Sequence, residues 1–470
     1  MTADEISERR TDTTPDTEYD RPNILWVVMD DVCPWMSCYG DTAVETEHVD
    51  ALADRGSRFD RAYATAPVCT PSRSAIITGM YQTAIGAHNH YSSFGEWRGQ
   101  EMERWDPTHL GVRTIPEIFR SAGYYTFNEG KNHYNFVDRD GMLYDRKGTE
   151  NRFRGAEDGT EWSGRDPDQP FFGQIQLRGG KADVSSSVTR VDPSAVTVPP
   201  YYPDHPVYRE EIAHHYDTIQ EMNRILGTVV ETLKEDGLYE NTVVCFFADH
   251  GMRLPRHKQF LYEGGVRIPL VMAGPGVPEG AERTDLVSGI DIGPTSLALA
   301  GIDVPDHVHG ADVFSETFHR DHVIAARDRC DYTNDRIRAV ITDRYKYVRN
   351  FMTDRPYLQP QYRDGREYMT VLNRLHEEGE LDEVQSQFAS EERPAEELYD
   401  LQADPHETDN IVHSTRYEHA EALGRLRTIL SRWILETDDK GRYPESDDSL
   451  AAVIQRWGDD AVNDEYDRVR

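Results

Sequence analysis

The chain has 470 residues, of which 37% are hydrophobic and 10% aromatic, so it is long enough to bury a large core. Its 51 lysines and arginines against 85 aspartates and glutamates leave a formal net charge of −34, which repels nucleic acid and anionic membranes. The charge argues against both classes of partner, and it predicts that any anionic substrate needs a local cationic pocket.

The cationic residues are strongly skewed towards arginine. The chain has seven lysines, which are Lys131, Lys147, Lys181, Lys234, Lys258, Lys346 and Lys440. An acidic, lysine-poor composition is typical of proteins from salt-loving cells, where a Debye length of about 3 Å at molar salt screens repulsion between carboxylates. The alternative is an ordinary acidic protein, which composition alone does not exclude.

Residues 1–21 are polar and lack the apolar segment of a signal peptide, so we predict a disordered tail there. The cysteines are few, scattered and odd in number, which favours a reducing compartment over a disulfide framework. They are Cys33, Cys38, Cys69, Cys245 and Cys330. Because no apolar run approaches the length of a membrane span, we predict a cytoplasmic protein without membrane or nucleic-acid partners. The oligomeric state stays open.

Strand-like and helix-like segments alternate along the first two thirds of the chain. The predicted strands are 23–29, 170–177, 241–248 and 267–274, and the predicted helices are 46–56, 207–237 and 291–301. Segment 114–133 predicts a helix, a glycine stop, a strand and a loop that carries Lys131 and His133. This alternation predicts an α/β fold, with a large, mostly parallel sheet sandwiched by helices.

The pattern of predicted strands and helices changes after about residue 335. Residues 336–350 alternate like a hairpin, residues 396–411 are acidic and turn-rich, and a last helix is predicted near 415–434. We therefore predict an α/β domain over 22–335 and a smaller C-terminal α+β subdomain over 336–470.

Two predicted strands end in charged pairs, Asp30-Asp31 and Asp249-His250. Adjacent carboxylates repel each other unless a cation binds them, and hard oxygen ligands suit calcium or magnesium. Each pair alone is more often a solvated loop in so acidic a chain. Together, at the carboxyl ends of strands in a parallel sheet, they favour a ligand site.

The segment "CTPSRSAIITG" places a cysteine at the start of a predicted helix. Pro71 suits the first turn of a helix, and Gly79 suits its end. Free backbone N–H groups at the helix start, together with the guanidinium of Arg73, form an anion site that would lower the pKa of Cys69. A buried turn cysteine is the alternative. The Cys-x-Pro-x-Arg spacing favours the anion site.

These segments together resemble the sulfatase family of the alkaline-phosphatase-like superfamily. "CTPSRSAIITG" resembles the family signature in which the cysteine is oxidised to formylglycine. "NILWVVMDDV" and "FFADHG" resemble its two metal-binding strands, and "GKNH" resembles its Lys-x-His element. "RHKQFLYEGGVRIPLVMAGPGV" resembles the segment with a sulfate-binding lysine, and "EELYDLQADPHETDNI" the C-terminal element. The resemblance covers residues 22 to 435 and implies that 22–335 is the catalytic domain.

The resemblance implies a role for each matched residue. The implied ligands of one divalent cation, calcium before magnesium or manganese, are Asp30, Asp31, Asp249 and His250. Cys69 would become formylglycine, whose hydrate attacks sulfur, and Arg73 would fix it. Lys131 and Lys258 would hold sulfate oxygens, and His133 would take the proton from the spare hydroxyl of the hydrate. His250 occupies a position that is often asparagine in the family.

One departure concerns the general acid, the group that protonates the leaving oxygen. The family usually has a Pro-His pair after the strand that "PFFGQIQL" resembles, whereas this chain has "RGGKADV". Lys181 is one candidate, with a pKa expected to be lowered by Arg73, Lys131 and Lys258, although bound sulfate and the metal-ligand carboxylates oppose that shift. It would donate the proton or neutralise the bridging oxygen, and a surface lysine on a glycine-rich loop is the alternative. His205 is the rival candidate.

The predicted function is a sulfuric ester hydrolase that releases sulfate from a sulfated carbohydrate. "DHGMRLPRHK" and "GMYQTAIGAHNH" look more like N-sulfoglucosamine sulfohydrolases than like arylsulfatases, which leaves O-sulfate and N-sulfate open. The expected partners are the sulfated substrate, met by variable loops around 88–110 and 138–170, and a formylglycine-generating enzyme. The alternatives are a phosphoester or phosphonate hydrolase of the same superfamily and a non-catalytic sulfoglycan-binding homologue.

Overall fold

The structure is a computed structural model that describes residues 21–90, 111–136, 141–148 and 161–470. Residues 1–20 of the predicted tail, and most of the predicted sugar-facing loops, lie outside the described residues. Of the helices that are described, none is long and apolar enough to cross a membrane.

The described residues form thirteen strands and ten helices. The strands are β1 Asn23–Met29, β2 Gly56–Tyr63, β3 Tyr125–Glu129, β4 Arg146–Gly148, β5 Phe171–Leu177, β6 Thr242–Ala248, β7 Arg267–Ile268, β8 Leu270–Ala273, β9 Ala281–Ser288, β10 Val323–Arg327, β11 Ile337–Ile341, β12 Tyr345–Asn350 and β13 Glu396–Asp400. The helices are α1 Glu47–Arg55, α2 Cys69–Thr78, α3 Ile115–Ser121, α4 Pro206–Glu235, α5 Glu263–Val266, α6 Ile292–Leu299, α7 Glu367–Glu377, α8 Glu383–Ala389, α9 Tyr417–Glu436 and α10 Asp447–Trp457.

A nine-stranded mixed sheet forms the centre of the protein, which confirms the predicted α/β fold. Its order is β4-β3-β5-β1-β6-β8-β2-β7, with β9 paired to β2. Strands β1, β5 and β6 are buried along their whole length, as expected for apolar runs covered on both faces. Helix α1 packs on α4, and α2 packs with α3 and α6, so two groups of helices cover the sheet.

The strand register brings the charged strand ends to one edge. Met29 of β1 pairs with Ala248 of β6 and with Leu177 of β5, all in parallel. The residues that follow these three positions therefore leave the sheet side by side. Strand β3 is parallel to β5, so the loop after Glu129 emerges at the same edge. The sheet thus gathers the polar loops of four segments that lie far apart in the sequence.

The predicted strand 267–274 is two strands in the structure. Strand β7 pairs with β2, whereas β8 pairs with β2 and β6, all antiparallel. Pro269 separates them, because proline has no N–H to donate to a sheet. The acidic segment 396–411, predicted as turns, begins with strand β13.

A separate antiparallel sheet of four strands, β10 to β13, forms the C-terminal part, with α9 packed on β11 and β12. Its hairpin of β11 and β12 confirms the prediction for 336–350. Strand β10 starts at Val323, so this sheet includes residues that precede position 335. The domain boundary at 335/336 stays a prediction. Helix α10, which the sequence analysis did not predict, follows α9.

Candidate active site

Four ligand-type side chains meet where β1 and β6 end. They belong to Asp30, Asp31, Asp249 and His250, and all four are buried. Ligand atoms of Asp30, Asp249 and His250 lie within 4.8 Å of one another. Asp31 joins them through its Oδ1, which is 3.1 Å from His250 Nε2, and its N–H donates to Asp249 Oδ1 at 3.2 Å. Asp31 has a φ of +58°, a left-handed conformation that the surrounding structure holds in place.

This donor set fits a divalent cation. Three carboxylates buried together are unfavourable unless positive charge compensates them, and three oxygen donors with one imidazole are chemically suited to a metal ion. Cationic side chains already act on the carboxylates. Burial by itself raises the pKa of Asp30 and of Asp31, but neighbouring lysines hold both values below the ordinary range. For Asp249, burial outweighs His250 and Arg73 and raises the pKa.

Cys69 opens helix α2 and faces this carboxylate cluster. Its Sγ lies 3.4 Å from Asp30 Oδ1 and 3.2 Å from His250 Nε2, and its residue is 2% exposed. Burial and Asp30 raise the pKa of the thiol, but Lys131, Lys181 and Lys258 outweigh them and hold it well below its ordinary value. The pKa of Cys69 is therefore lowered as expected, but by three lysines, whereas the expectation rested on the N–H groups of the helix start and on Arg73.

The local fold of the signature segment follows the sequence prediction. Pro71 lies in the first turn of α2, where no N–H is required. Gly79 ends the helix with a φ of +65°, a conformation that favours glycine.

Arg73, one turn into α2, is fixed by two hydrogen bonds. Its Nε donates to Asp249 Oδ2 at 2.7 Å, and its Nη1 donates to Gln176 Oε1 at 2.6 Å. The amide of Gln176 in turn donates to Asn128 Oδ1 and Gln174 Oε1, both at 2.9 Å. The guanidinium is therefore held in one orientation beside Cys69.

Three of the seven lysines converge on this site. Lys131 Nζ lies 2.6 Å from Asp30 Oδ2, and Lys258 Nζ lies 2.8 Å from Asp31 Oδ1 and 3.4 Å from Cys69 Sγ. Lys181 Nζ lies 3.1 Å from carboxylate oxygens of both Asp30 and Asp31. A chain that is poor in lysine thus concentrates lysine where an anion would bind.

The glycines of "RGGK" allow Lys181 to reach the site. The N–H of Gly180 donates to the carbonyl of Asp30 at 2.8 Å. A Cβ on Gly179 would lie 1.9 Å from the carbonyl oxygen of Asp30, and one on Gly180 would lie 2.6 Å from that of Asp31. Only glycine permits this close approach of the two backbones.

The expected lowering of the Lys181 pKa is wrong. Burial lowers the pKa of this ammonium group, and Lys258 does too, but Asp31, Cys69 and Asp30 raise it further than these lower it. The carboxylates of Asp30 and Asp31 contact Lys181 directly, so the opposing shift expected from these carboxylates outweighs the repulsion between cations.

A cavity of about 460 Å³ opens onto Cys69, Asp30 and the three lysines. His133 lines it, and burial, Lys131 and His90 hold the pKa of His133 well below its ordinary value, so its ring is neutral. Further lining residues were not predicted from the sequence: His90, Gln176, Asp331, Tyr362, Arg456 and Trp457. Of these, Gln176 could have been found from the sequence, because a glutamine near the end of the largely apolar strand β5 is unusual. The others come from loops and from α10, and among them only His90 belongs to a segment quoted above, "GMYQTAIGAHNH", where no role was assigned to it.

His205 lies elsewhere. It precedes α4 as its N-cap, and its Nδ1 accepts a hydrogen bond from the N–H of Val207 at 3.3 Å. It is not among the described residues that line the cavity around Cys69. His205 therefore caps a helix. The expectation that it stands at the reaction site as a rival general acid is wrong.

Comparison with protein families gives two matches. Residues 22–302 match the sulfatase family, and residues 250–393 match the C-terminal region of N-sulphoglucosamine sulphohydrolase. An ulvan-active sulfatase of Formosa agariphila is 32% identical over 473 residues, covering 91% of this chain and 77% of that protein. Human N-sulphoglucosamine sulphohydrolase is 26% identical over 491 residues, covering 89% and 90%.

Solved structures share the fold. One, described as a complex with its substrate D-glucosamine-2-N,6-O-disulfate, has a TM-score of 0.62 at 18% identity and covers 89% of this chain and 98% of that one. A phosphonate monoester hydrolase from Silicibacter pomeroyi has a TM-score of 0.64 at 17% identity, with coverage of 90% and 96%. The family match over more than half of the chain, together with the relative at 32% identity, shows that the protein belongs to the sulfatase family of enzymes.

Proposed function

We propose that the protein releases inorganic sulfate from a sulfated carbohydrate that carries an O- or N-sulfate. The observation that carries this proposal is the convergence of cationic side chains on the buried sulfur of Cys69, beside a carboxylate cluster. A sulfate ester is an anion, so fixed cations around the reacting group stabilise it as charge builds up. The cavity of about 460 Å³ is of a size that takes a sugar. The names of the relatives support a glycan substrate.

Five of the residues that line the cavity have a role in this proposal. After conversion to formylglycine by a formylglycine-generating enzyme, the side chain of residue Cys69 would supply the nucleophile that attacks sulfur. Lys131 and Lys258 bind sulfate oxygens. Lys181, with its raised pKa, neutralises charge near the nucleophile. His133 is neutral and takes the proton from the spare hydroxyl of the hydrate, so that sulfate can leave by C–O cleavage.

The cluster at the ends of β1 and β6 would hold one divalent cation, and its three carboxylates favour calcium over magnesium or manganese. The proposed ligands are Asp30, Asp31, Asp249 and His250. When bound, the cation would offset negative charge on the sulfate. Arg73, held by Asp249 and Gln176, orients the nucleophile.

The proposed function is tested by following sulfate release with ion chromatography. The substrates are glucosamine N-sulfate, glucosamine 6-sulfate and ulvan oligosaccharides, with a phosphate monoester and a phosphonate monoester as comparisons. We expect sulfate release from a sugar with a kcat/KM above that for either phosphorus ester. A higher kcat/KM on a phosphorus ester would indicate the phosphoester or phosphonate alternative. Glycan binding without turnover would indicate a non-catalytic homologue.

We also propose that the protein functions in a salt-rich cytoplasm. The net charge of −34 supports this, because raising salt from about 0.1 M to about 1 M shortens the Debye length from about 10 Å to about 3 Å. We expect Tm and turnover to rise steeply over a potassium chloride series. A matched series in sucrose separates charge screening from general exclusion of solutes. Full activity and an unchanged Tm at low ionic strength would contradict this proposal.

A further inference from the structure

The alkoxide that leaves a sugar sulfate is a strong base, so its departure needs a proton donor beside the bridging oxygen. We propose that His90 is this donor, and that Asp331 is the residue that positions it. The inference rests on the proposed sulfatase function and assigns a part of the reaction that the sequence motifs left open.

His90 is held in one orientation at the cavity wall. It is 8% exposed, and its Nδ1 lies 2.9 Å from Asp331 Oδ1. The backbone N–H of His90 donates to the carbonyl of Arg329 at 2.8 Å. The guanidinium of Arg329 donates to the carbonyl of Asp331 at 2.5 Å and pairs with Glu445 at 2.7 Å. The backbones that carry the histidine and the carboxylate are therefore tied together.

The ionised carboxylate of Asp331 determines which ring nitrogen of His90 carries the shared proton. Burial raises the pKa of Asp331, but His90, Arg456 and Arg329 outweigh it and hold the value below the ordinary range. An ionised carboxylate only accepts hydrogen bonds, so His90 Nδ1 donates to it. The ring then exchanges protons with a ligand through Nε2.

The position of His90 suits the leaving group better than that of Lys181. In an in-line displacement the leaving oxygen lies on the side of sulfur opposite the nucleophile. Lys181 is 3.9 Å from Cys69 Sγ and bound to both aspartates, which places its ammonium at the nucleophile. His90 instead pairs with Asp331, a carboxylate outside the cluster around Asp30 and Asp31, and both residues line the cavity.

A metal site is the alternative use of this cluster, because ligand atoms of His90, Cys330 and Asp331 lie within 4.8 Å of one another. The surroundings disfavour it. Burial raises the pKa of Cys330 to about 12, so its sulfur is a thiol and a poor ligand. Arg329 and Arg456, which already act on Asp331, would repel a cation.

In the proposed step the sulfate group passes from the sugar oxygen to the nucleophile oxygen. The nucleophile oxygen gives its proton to solvent and bonds to sulfur, while the bond from sulfur to the sugar oxygen breaks. The electron pair of that bond stays on the sugar oxygen, which takes the proton from His90 Nε2 and leaves as a neutral hydroxyl. In the later release of sulfate, the bond from carbon to the sulfated oxygen breaks and His133 takes the proton of the spare hydroxyl. His90 regains a proton from solvent before the next turnover. Asp331 keeps its charge throughout.

The test compares substrates whose leaving groups differ in basicity. We expect His90→Ala and His90→Gln to lower kcat on a sugar O-sulfate by about 10²–10⁴-fold, and on p-nitrophenyl sulfate by less than about 10-fold, because nitrophenolate leaves without a proton. Added imidazole should restore turnover of the sugar sulfate by His90→Ala. Asp331→Asn should lower kcat in the same substrate-dependent way with little change in KM. His319→Ala removes an exposed histidine and serves as the control.

The outcomes separate this proposal from the proposed function. If wild-type protein releases no sulfate from these two substrates or from glucosamine N-sulfate, the proposed function fails. If wild-type protein is active and the His90 variants lose the same factor on both substrates, His90 is not the donor. If Lys181→Ala alone shows the leaving-group dependence, Lys181 is the donor. If His90→Gln loses a bound metal ion by elemental analysis, the cluster is a metal site.

Discussion

Replacing Cys69 with alanine should lower sulfate release by at least about 10⁴-fold, the scale of loss when an enzyme is deprived of its nucleophile. The reason is the environment of the side chain, because Lys131, Lys181 and Lys258 all act on the position that Cys69 occupies. Alanine is smaller and apolar and fits at the start of α2, so we expect Tm to change by a few degrees at most.

Cys38→Ala is the matched control for Cys69→Ala, because Cys38 is half-buried and lies away from the cavity lining. Turnover by Cys38→Ala should match that of the wild type. If Cys69→Ala keeps a tenth or more of wild-type turnover, residue 69 is not the nucleophile. The measurement is kcat/KM on the sugar sulfate, with circular dichroism to show that the variant is folded.

Replacing Asp249 with alanine should lower turnover by at least about 10³-fold, since the loss of a metal ligand and of an arginine partner removes several kcal/mol of transition-state stabilisation. Asp249 contacts Arg73 at 2.7 Å and lies within the proposed ligand cluster. Treating the wild type with a chelator should reproduce the loss, and adding calcium should reverse it.

Two variants make the Asp249 result interpretable. Asp249→Asn preserves the size of the side chain and a hydrogen-bond acceptor for Arg73, so it guards against misfolding around an unpaired buried guanidinium. Asp321→Ala removes an exposed carboxylate and should leave turnover unchanged. Calorimetric titration with calcium should give one site in the wild type and none in Asp249→Asn. Equal calcium binding in both would contradict the proposed ligand set.

The sheet edge that carries the site was largely predictable, because buried parallel strands appear in the sequence as short apolar runs. Apolar runs that stop at Asp30-Asp31 and at Asp249-His250 fix both the strands and their ends. Parallel pairing then requires these ends to meet, as the register of Met29 with Ala248 shows. Helix α2 was equally visible, since a proline in its first turn and a glycine at its end mark its limits.

The other parts of the cavity depend on contacts between distant segments. His90 and Asp331 are 241 positions apart, and although His90 ends the segment "GMYQTAIGAHNH", no local pattern pairs the two residues. Helix α10 carries Trp457 to the cavity from the end of the chain, beyond the segment that resembled the family. The pKa of Lys181 follows from which charges touch it, and the sequence does not fix those distances.

The most direct test of the account is mass spectrometry of the peptide that contains residue 69, from protein whose sulfate release has been measured. If formylglycine made from Cys69 is the nucleophile, the peptide should have lost H₂S and gained one oxygen relative to the cysteine form. The converted fraction should rise and fall in proportion to kcat across preparations. Full sulfatase activity in protein that carries unmodified cysteine at position 69 would contradict the account.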